Sequence, residues 1–249
     1  MRLFLATLLS TVCLITTPAV SGGLADMTAS ERAVFRAEVK AFLIENPEVI
    51  SEALNALQQR QDAADLARDQ QLLIDNAALL FNDQNSWVGG NPNGDITVVE
   101  FLDYRCGYCR KANEAVEELV KSDGNIRFVL KEFPILGEES MASSRFAIAV
   151  LQLHGADAYK AAHDALITLR GTPDSETLTR LATELGLDPG PVLARMATAE
   201  VTAVIAANHA LADVMSLTGT PAFAINKTLL RGYVPLDGLR AIVADERAG

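Results

Sequence analysis

The sequence predicts an α/β sheet domain that carries a helical insertion and is preceded by a long helical arm. Three observations predict it. Two largely apolar runs, residues 96–103 and 126–133, enclose one helical stretch, which is a strand–helix–strand unit and requires a parallel pair with a right-handed crossover. Two further short β-type runs, 222–225 and 228–231, return only after a long Ala- and Leu-rich helical region. Ahead of the first strand lies a helical pattern with little apolar surface to bury.

Taken from the start, Arg2 is followed by an apolar run over 3–15, too short for a bilayer span, which needs about 20 residues. Small residues follow at Ala19, Ser21, Gly23 and Ala25. Residues 1–25 therefore read as a secretory signal peptide cleaved after Ser21 or after Ala25, with a membrane anchor as the competing reading. Of the three cysteines, Cys13 falls inside that segment, and the residues before it (Ser10, Thr11, Val12) form no lipobox. The mature chain keeps Cys106 and Cys109.

Thr28 with Glu31 three residues later is a capping box, and it opens a helix whose apolar face holds Val34, Phe35, Val39, Phe42 and Leu43. At Asn46-Pro47-Glu48 the helix restarts, with Asn46 as cap and Pro47 at the first helical position. Nothing then stops the helix before Phe81, which at 1.5 Å per residue gives about 50 Å. Residues 28–85 form the arm. Ile50, Leu54 and Leu57 recur at i, i+4 and i+7, the stripe of a helix that pairs with another, so residues 28–81 are expected to make a homo-oligomer. The alternative is a solvated helix or a flexible linker.

The turn-rich run 87–94 ends the arm, and the sheet domain is expected over 86–249. A helix starts at Cys106 and runs to about Lys121, where Ser122-Asp123-Gly124-Asn125 breaks it. The helical insert covers about 138–217. Asn226-Lys227 turns the last hairpin, and a final helix follows from Pro235. The net charge of −11 argues against nucleic acid and anionic membranes as partners.

A Cys-x-x-Cys pair at a helix start has a specific chemical use. Unpaired backbone N–H groups and the positive helix end favour a thiolate at Cys106, and the thiolate is the species that attacks disulfides. Cys109 lies one turn away and can close the pair to release a trapped partner. A structural zinc site needs four ligands, and His154, His163 and His209 have no close ligand spacing. A structural disulfide over three residues would stabilise little. Two thiolates could also hold Cu(I), which leaves a copper-binding module as the alternative to an enzyme.

Residues 98–109, Val-Val-Glu-Phe-Leu-Asp-Tyr-Arg-Cys-Gly-Tyr-Cys, resemble the active-site strand and helix of the DsbA-like branch of the thioredoxin superfamily. Lys131-Glu132-Phe133-Pro134-Ile135-Leu136-Gly137 resembles that branch's next strand, and Gly219-Thr220-Pro221-Ala222-Phe223 its cis-proline loop. The amino-terminal helices, with Glu45-Asn46-Pro47-Glu48-Val49, are similar to those of ScsC-type proteins, linked in some bacteria to copper tolerance.

The resemblance implies a thioredoxin-like fold with a helical insertion. It implies a periplasmic thiol–disulfide oxidoreductase, working as a disulfide isomerase or oxidase with no cofactor and no resident metal. Its partners would be exported protein substrates, a membrane redox protein that recycles it, and further copies of itself. Cys106 would be the nucleophile and Cys109 the resolving thiol. Glu100 would be a buried proton carrier with Lys131 as its neighbour; the alternative is an edge-facing Glu100 without a role. Pro221 would be cis. Thr220, Pro221, Gly107 and Tyr108 would contact substrate. The Gly-Tyr dipeptide departs from the Pro-His of strongly oxidising DsbA, so a source of thiolate stabilisation is missing and isomerase or reductase work becomes plausible.

Overall fold

The computed structural model describes residues 24–249. The signal segment expected over 1–25 lies, but for its last two residues, outside them. The chain forms two compact units, one ending at Gln61 and one spanning Asp62–Gly249.

In the first unit a 3-10 turn (Leu24–Asp26) leads to α1 (Ala29–Glu45), which opens on the Thr28–Glu31 capping box. Its far end differs from expectation. Asn46 closes α1, its backbone N–H and its side-chain amide both donating to the Phe42 carbonyl, instead of opening the next helix. Helix α2 (Glu48–Asp75) follows and contributes residues to both units. The apolar residues Val34, Phe35, Val39, Phe42, Ile50, Leu54 and Leu57 are all exposed.

The second unit is built on a five-stranded sheet in the order β1-β3-β2-β4-β5. The strands are β1 (Trp87–Gly90), β2 (Ile96–Leu102), β3 (Ile126–Glu132), β4 (Ala222–Ile225) and β5 (Thr228–Arg231). Only β2 and β3 are parallel; β1, β4 and β5 each run antiparallel to their neighbours. The α/β class and the two central strands stand as expected. Strand β1 lies within the run expected to be turn and pairs with β3 at the sheet edge.

Because neighbouring residues of a strand face opposite sides, β2 and β3 serve two cores. Val98, Leu102, Phe128 and Leu130 face the core shared with α4 (Gly107–Asp123) and α5 (Glu138–Thr168), and the insert helices α6 (Ser175–Glu184) and α7 (Pro189–Met196) pack on α5. Helix α4 meets this face with Ala112, Val116 and Leu119, one stripe at i, i+4 and i+7. It ends at Gly124, whose left-handed φ of 73° suits a residue without a Cβ. Helix α9 (Leu236–Ala248) adds Leu239 and Val243 to the same core.

The opposite face carries Val99, Phe101, Val129 and Phe133. It is covered by α8 (Ala199–Val214) and by Leu73 and Leu80 from the end of α2 and from α3 (Ala77–Phe81). The helix read as continuous to Phe81 therefore breaks at Asn76. The compact unit that holds the sheet begins at Asp62, and Leu73 and Leu80, which precede residue 86, are core residues of it.

Candidate active site

Cys106 follows the β2 turn and is the N-cap of α4, with extended backbone at φ −75° and ψ 119°. It is the more accessible of the two cysteines, at 8 % exposure against 1 % for Cys109, and both are free thiols. The Cys109 thiol donates to Cys106, and with the Thr220 side chain and the Tyr108 and Cys109 amides it pulls the Cys106 pKa down to about 5 against the opposing effect of burial. The same hydrogen bond pushes the Cys109 thiol strongly up, and burial and the charge of Glu100 add to it. The pair is thus split into one thiolate and one protonated thiol at neutral pH.

The turn between β2 and α4 is held by Asp103. Its Oδ1 accepts from Arg105 N (2.8 Å) and Ser140 Oγ (2.7 Å), and its Oδ2 from Ile135 N (2.8 Å) and Leu136 N (3.0 Å). Its own N–H donates toward Cys109 Sγ at 3.5 Å. One buried carboxylate therefore ties the cysteine turn to the start of α5. Arg110 adds a second tie, donating from Nε to the Tyr104 carbonyl (2.9 Å) and from Nη2 to that of Leu169 (2.7 Å).

Glu100 is 4 % exposed, on the face of β2 that meets α4. Burial first, then the charge of Cys106, raises its pKa to about 8. The Thr220–Pro221 bond is cis. The Thr220 carbonyl oxygen lies 3.2 Å from Cys106 Sγ, and the Pro221 carbonyl accepts from Gly232 N at 2.9 Å. Gly107 is exposed beside the sulfurs with open space where a side chain would go. Tyr108 is 63 % exposed and tilts against Tyr233 (centroids 6.3 Å apart), over which Lys111 Nζ sits at 4.5 Å.

The structure brings Cys106, Cys109, Glu100, Gly107, Tyr108, Thr220 and Pro221 together but leaves Lys131 out. In the parallel register Phe101 is opposite Lys131 and Glu100 opposite Leu130, so Lys131 points to the other side of the sheet from Glu100. There its Nζ donates to Asp83 Oδ2 (2.9 Å) and Ser86 Oγ (3.1 Å). The expectation that Lys131 neighbours Glu100 is corrected: it is a buried structural cation.

Sequence reasoning missed a second buried acid on the catalytic face. Glu132 accepts from Tyr159 Oη (2.6 Å) and Tyr104 Oη (2.8 Å), and Tyr104 Oη in turn lies 3.2 Å from His163 Nδ1. A signal was available. Two consecutive charges in a buried strand must face opposite sides, so one of Lys131 and Glu132 had to meet each core.

A Cys-x-x-Cys pair at a helix start, with a buried acid beneath it and a cis-proline loop beside it, is the site of a thioredoxin fold. The chain belongs to the DSBA-like thioredoxin domain family, whose model matches residues 97–244. Residues 31–64 match the copper resistance protein ScsC N-terminal domain. Among solved structures, a thioredoxin-like oxidoreductase from Silicibacter pomeroyi DSS-3 is 42 % identical, with a TM-score of 0.65, over 69 % of this chain and 98 % of that one. Proteus mirabilis ScsC in a transitional conformation is 26 % identical, with a TM-score of 0.66, over 89 % of this chain and 99 % of that one. The Na(+)/H(+) antiporter NhaA 1 of Salinispora arenicola is 31 % identical over 162 residues, which are 65 % of this chain and 25 % of the antiporter. The chain thus spans about a quarter of the length of the curated relatives it matches. Among the described residues no single helix is long and apolar enough to cross a membrane.

Proposed function

We propose that the protein is a periplasmic disulfide isomerase that acts on exported proteins as a homo-oligomer, with oxidase work as the second direction of the same chemistry. The observation that carries the chemistry is the placement of the pair: Cys106 caps α4 and is the more accessible sulfur, with its pKa drawn down, and Cys109 is buried one turn on with its pKa pushed up. The thiolate attacks one sulfur of a substrate disulfide, and the other sulfur leaves as a thiolate. Cys109 then gives its proton to the Glu100 carboxylate and attacks Cys106 Sγ. The enzyme pair becomes a disulfide and the substrate leaves with both sulfurs reduced, as thiolates that take their protons from Glu100 and water, a balanced two-electron exchange. In isomerisation a substrate thiol resolves the mixed disulfide instead, and Cys106 returns as thiolate.

Glu100 suits the resolving step. The Cys106 negative charge helps hold its pKa up. That charge disappears once Cys106 is bonded to substrate, which releases Glu100 toward its carboxylate form when a base is needed. Thr220 and Pro221 line the approach to Cys106 Sγ, where an extended substrate strand would lie, with Gly107 and Tyr108 on its other side.

The preference for isomerase rests on the arm. Val34, Phe35, Val39 and Phe42 on α1 and Ile50, Leu54 and Leu57 on α2 are exposed, more apolar surface than a lone helix keeps in water. Copies joined through this segment would present several Cys106 thiolates to one misfolded substrate. Recycling by a membrane redox protein completes the cycle. Refolding of a scrambled-disulfide protein tests the reading: catalytic amounts of the mature chain restore activity, whereas a protein that recovers none is no isomerase. The competing Cu(I) module would use the same two sulfurs.

A further inference from the structure

We propose that Glu132 is a positioning residue for the exchange reaction, its proton setting the direction of a hydrogen-bond chain from Glu132 through Tyr104 to His163 behind the Cys106 turn. The inference rests on the exchange activity proposed above.

Glu132 sits at the end of β3, 3 % exposed, with Leu130 and Phe128 on the catalytic face. Two hydroxyls converge on Oε1, those of Tyr104 and Tyr159. Oε2 is buried with no partner, as is the neighbouring Ser144 hydroxyl. His163 Nε2 lies 3.1 Å from Asn113 Oδ1, an acceptor, so that nitrogen carries the ring proton and Nδ1 presents a lone pair to Tyr104. Tyr104 has one hydroxyl proton and two claimants for it.

With Glu132 ionised, Tyr104 donates to Oε1 and His163 Nδ1 is left buried without a donor, which is unfavourable. With Glu132 protonated, the acid donates to Tyr104 Oη, and Tyr104 donates to His163. The chain is complete only in the second state. Its direction therefore reverses when Glu132 loses its proton, and Tyr104, two residues before Cys106, is the group that turns.

The charged and titratable groups around Glu132 are Tyr104 and Asp103 from the cysteine turn, and Tyr159 and His163 from α5. Glu100 from β2 acts on Tyr159, and Glu117 from α4 and Lys160 from α5 act on His163. Burial first, and then the Asp103 charge, raise the Glu132 pKa to about 7 against the hydrogen bonds from Tyr159 and Tyr104. Burial and Lys160 lower that of His163 to about 4, so the ring stays neutral while Glu132 titrates.

The fold supplies its own reporter. Trp87, the one tryptophan of the chain, stacks on Tyr159 with centroids 5.7 Å apart and planes at 22°. The experiment follows Trp87 fluorescence against pH in the reduced, full-length mature protein, beside the pH profile of mixed-disulfide formation by Cys106. The wild type is expected to show a fluorescence step near pH 7 that survives Cys106→Ser, and an inflection at the same pH in the exchange profile. Glu132→Gln, which keeps the acceptor oxygen and offers an amide to Ser144, is expected to lose both. A wild-type signal without a step near neutrality overturns the titration. A Glu132→Gln profile that superimposes on the wild type overturns the positioning role. Should Glu132→Gln not fold, Tyr104→Phe keeps the acid and cuts the chain: it is expected to retain the fluorescence step and lose the inflection, and retention of both overturns the proposal. A wild type that steps in fluorescence yet exchanges no disulfides refutes the activity and leaves the titration standing.

Discussion

Lys131 Nζ lies 2.9 Å from Asp83 Oδ2, and the lysine is 1 % exposed. This pair closes the face of β3 opposite the cysteines. Burial pulls the Lys131 pKa down while Asp83 pulls it back up, so the ammonium depends on its partner. Asp83→Asn is expected to destabilise the protein by about 3 kcal/mol, the cost of leaving a buried charge unpaired. It is expected to leave the pH profile of Cys106 alkylation where it was. Denaturant unfolding and iodoacetamide kinetics measure the two; a shifted thiol profile would restore Lys131 to the catalytic set.

Cys106 alkylation is expected to titrate with a midpoint of about 5, well below the ordinary thiol value of 9.0. Cys106→Ser abolishes it. The largest cause of the shift is the hydrogen bond from Cys109, so Cys109→Ser, which keeps a donor, leaves the midpoint low. Cys109→Ala raises it by roughly one unit, the worth of one charge-assisted hydrogen bond. An unchanged midpoint in Cys109→Ala would transfer the cause to the helix end and the Thr220 side chain.

Glu100→Gln is expected to slow resolution of the mixed disulfide by Cys109 at least about tenfold, within the range of a lost proton-transfer group, and to leave the first attack intact. Stability gives an independent readout. The folded state holds the Glu100 proton to about pH 8 and the unfolded chain only to about 4.5, so this group's contribution declines as pH rises through that window. Cys106 acts with opposite sign between about 5 and 9, being depressed on folding. The reduced wild type minus Glu100→Gln difference isolates the acid: the variant gains on the wild type from pH 5 to pH 8. A constant difference in denaturant midpoint across that range would show Glu100 ionised throughout.

Removal of residues up to Gln61 is expected to leave a folded monomer with the wild-type Cys106 alkylation profile and poor isomerisation of scrambled proteins. Removal up to residue 85 is expected to fail to fold, because Leu73 and Leu80, each worth about 2 kcal/mol of burial, and the Asp83 partner of Lys131 go with it. Light scattering and near-ultraviolet circular dichroism distinguish these outcomes. A monomeric full-length mature protein would remove the arm as a ground for isomerase over oxidase.

The legible parts of the fold were those with local signals. The Cys106–Cys109 spacing, the Gly124 stop and the Asn226-Lys227 hairpin each declare themselves within a few residues. Strand β1 did not, since Gly89, Gly90 and the following Asn91-Pro92 carry turn chemistry and an edge strand needs only one partner. The role of Lys131 was misread because resemblance reports which strand a residue occupies, while the side it faces depends on register. The Tyr104–Glu132–Tyr159–His163 cluster draws on three separate elements, and only folding brings them together.

The two outermost strands, β1 and β5, are four residues each, and β1 ends in Gly89 and Gly90. An enzyme that handles unfolded chains is surrounded by unpaired backbone seeking a ladder to join. Short edges offer few hydrogen bonds in sequence, and the left-handed φ of 67° at Gly90 turns the chain away from further pairing. A client strand laid along either flank would gain little. On the proposed function, the sheet is thereby protected from templating the aggregation of its clients, and docking would be left to the loop around Pro221.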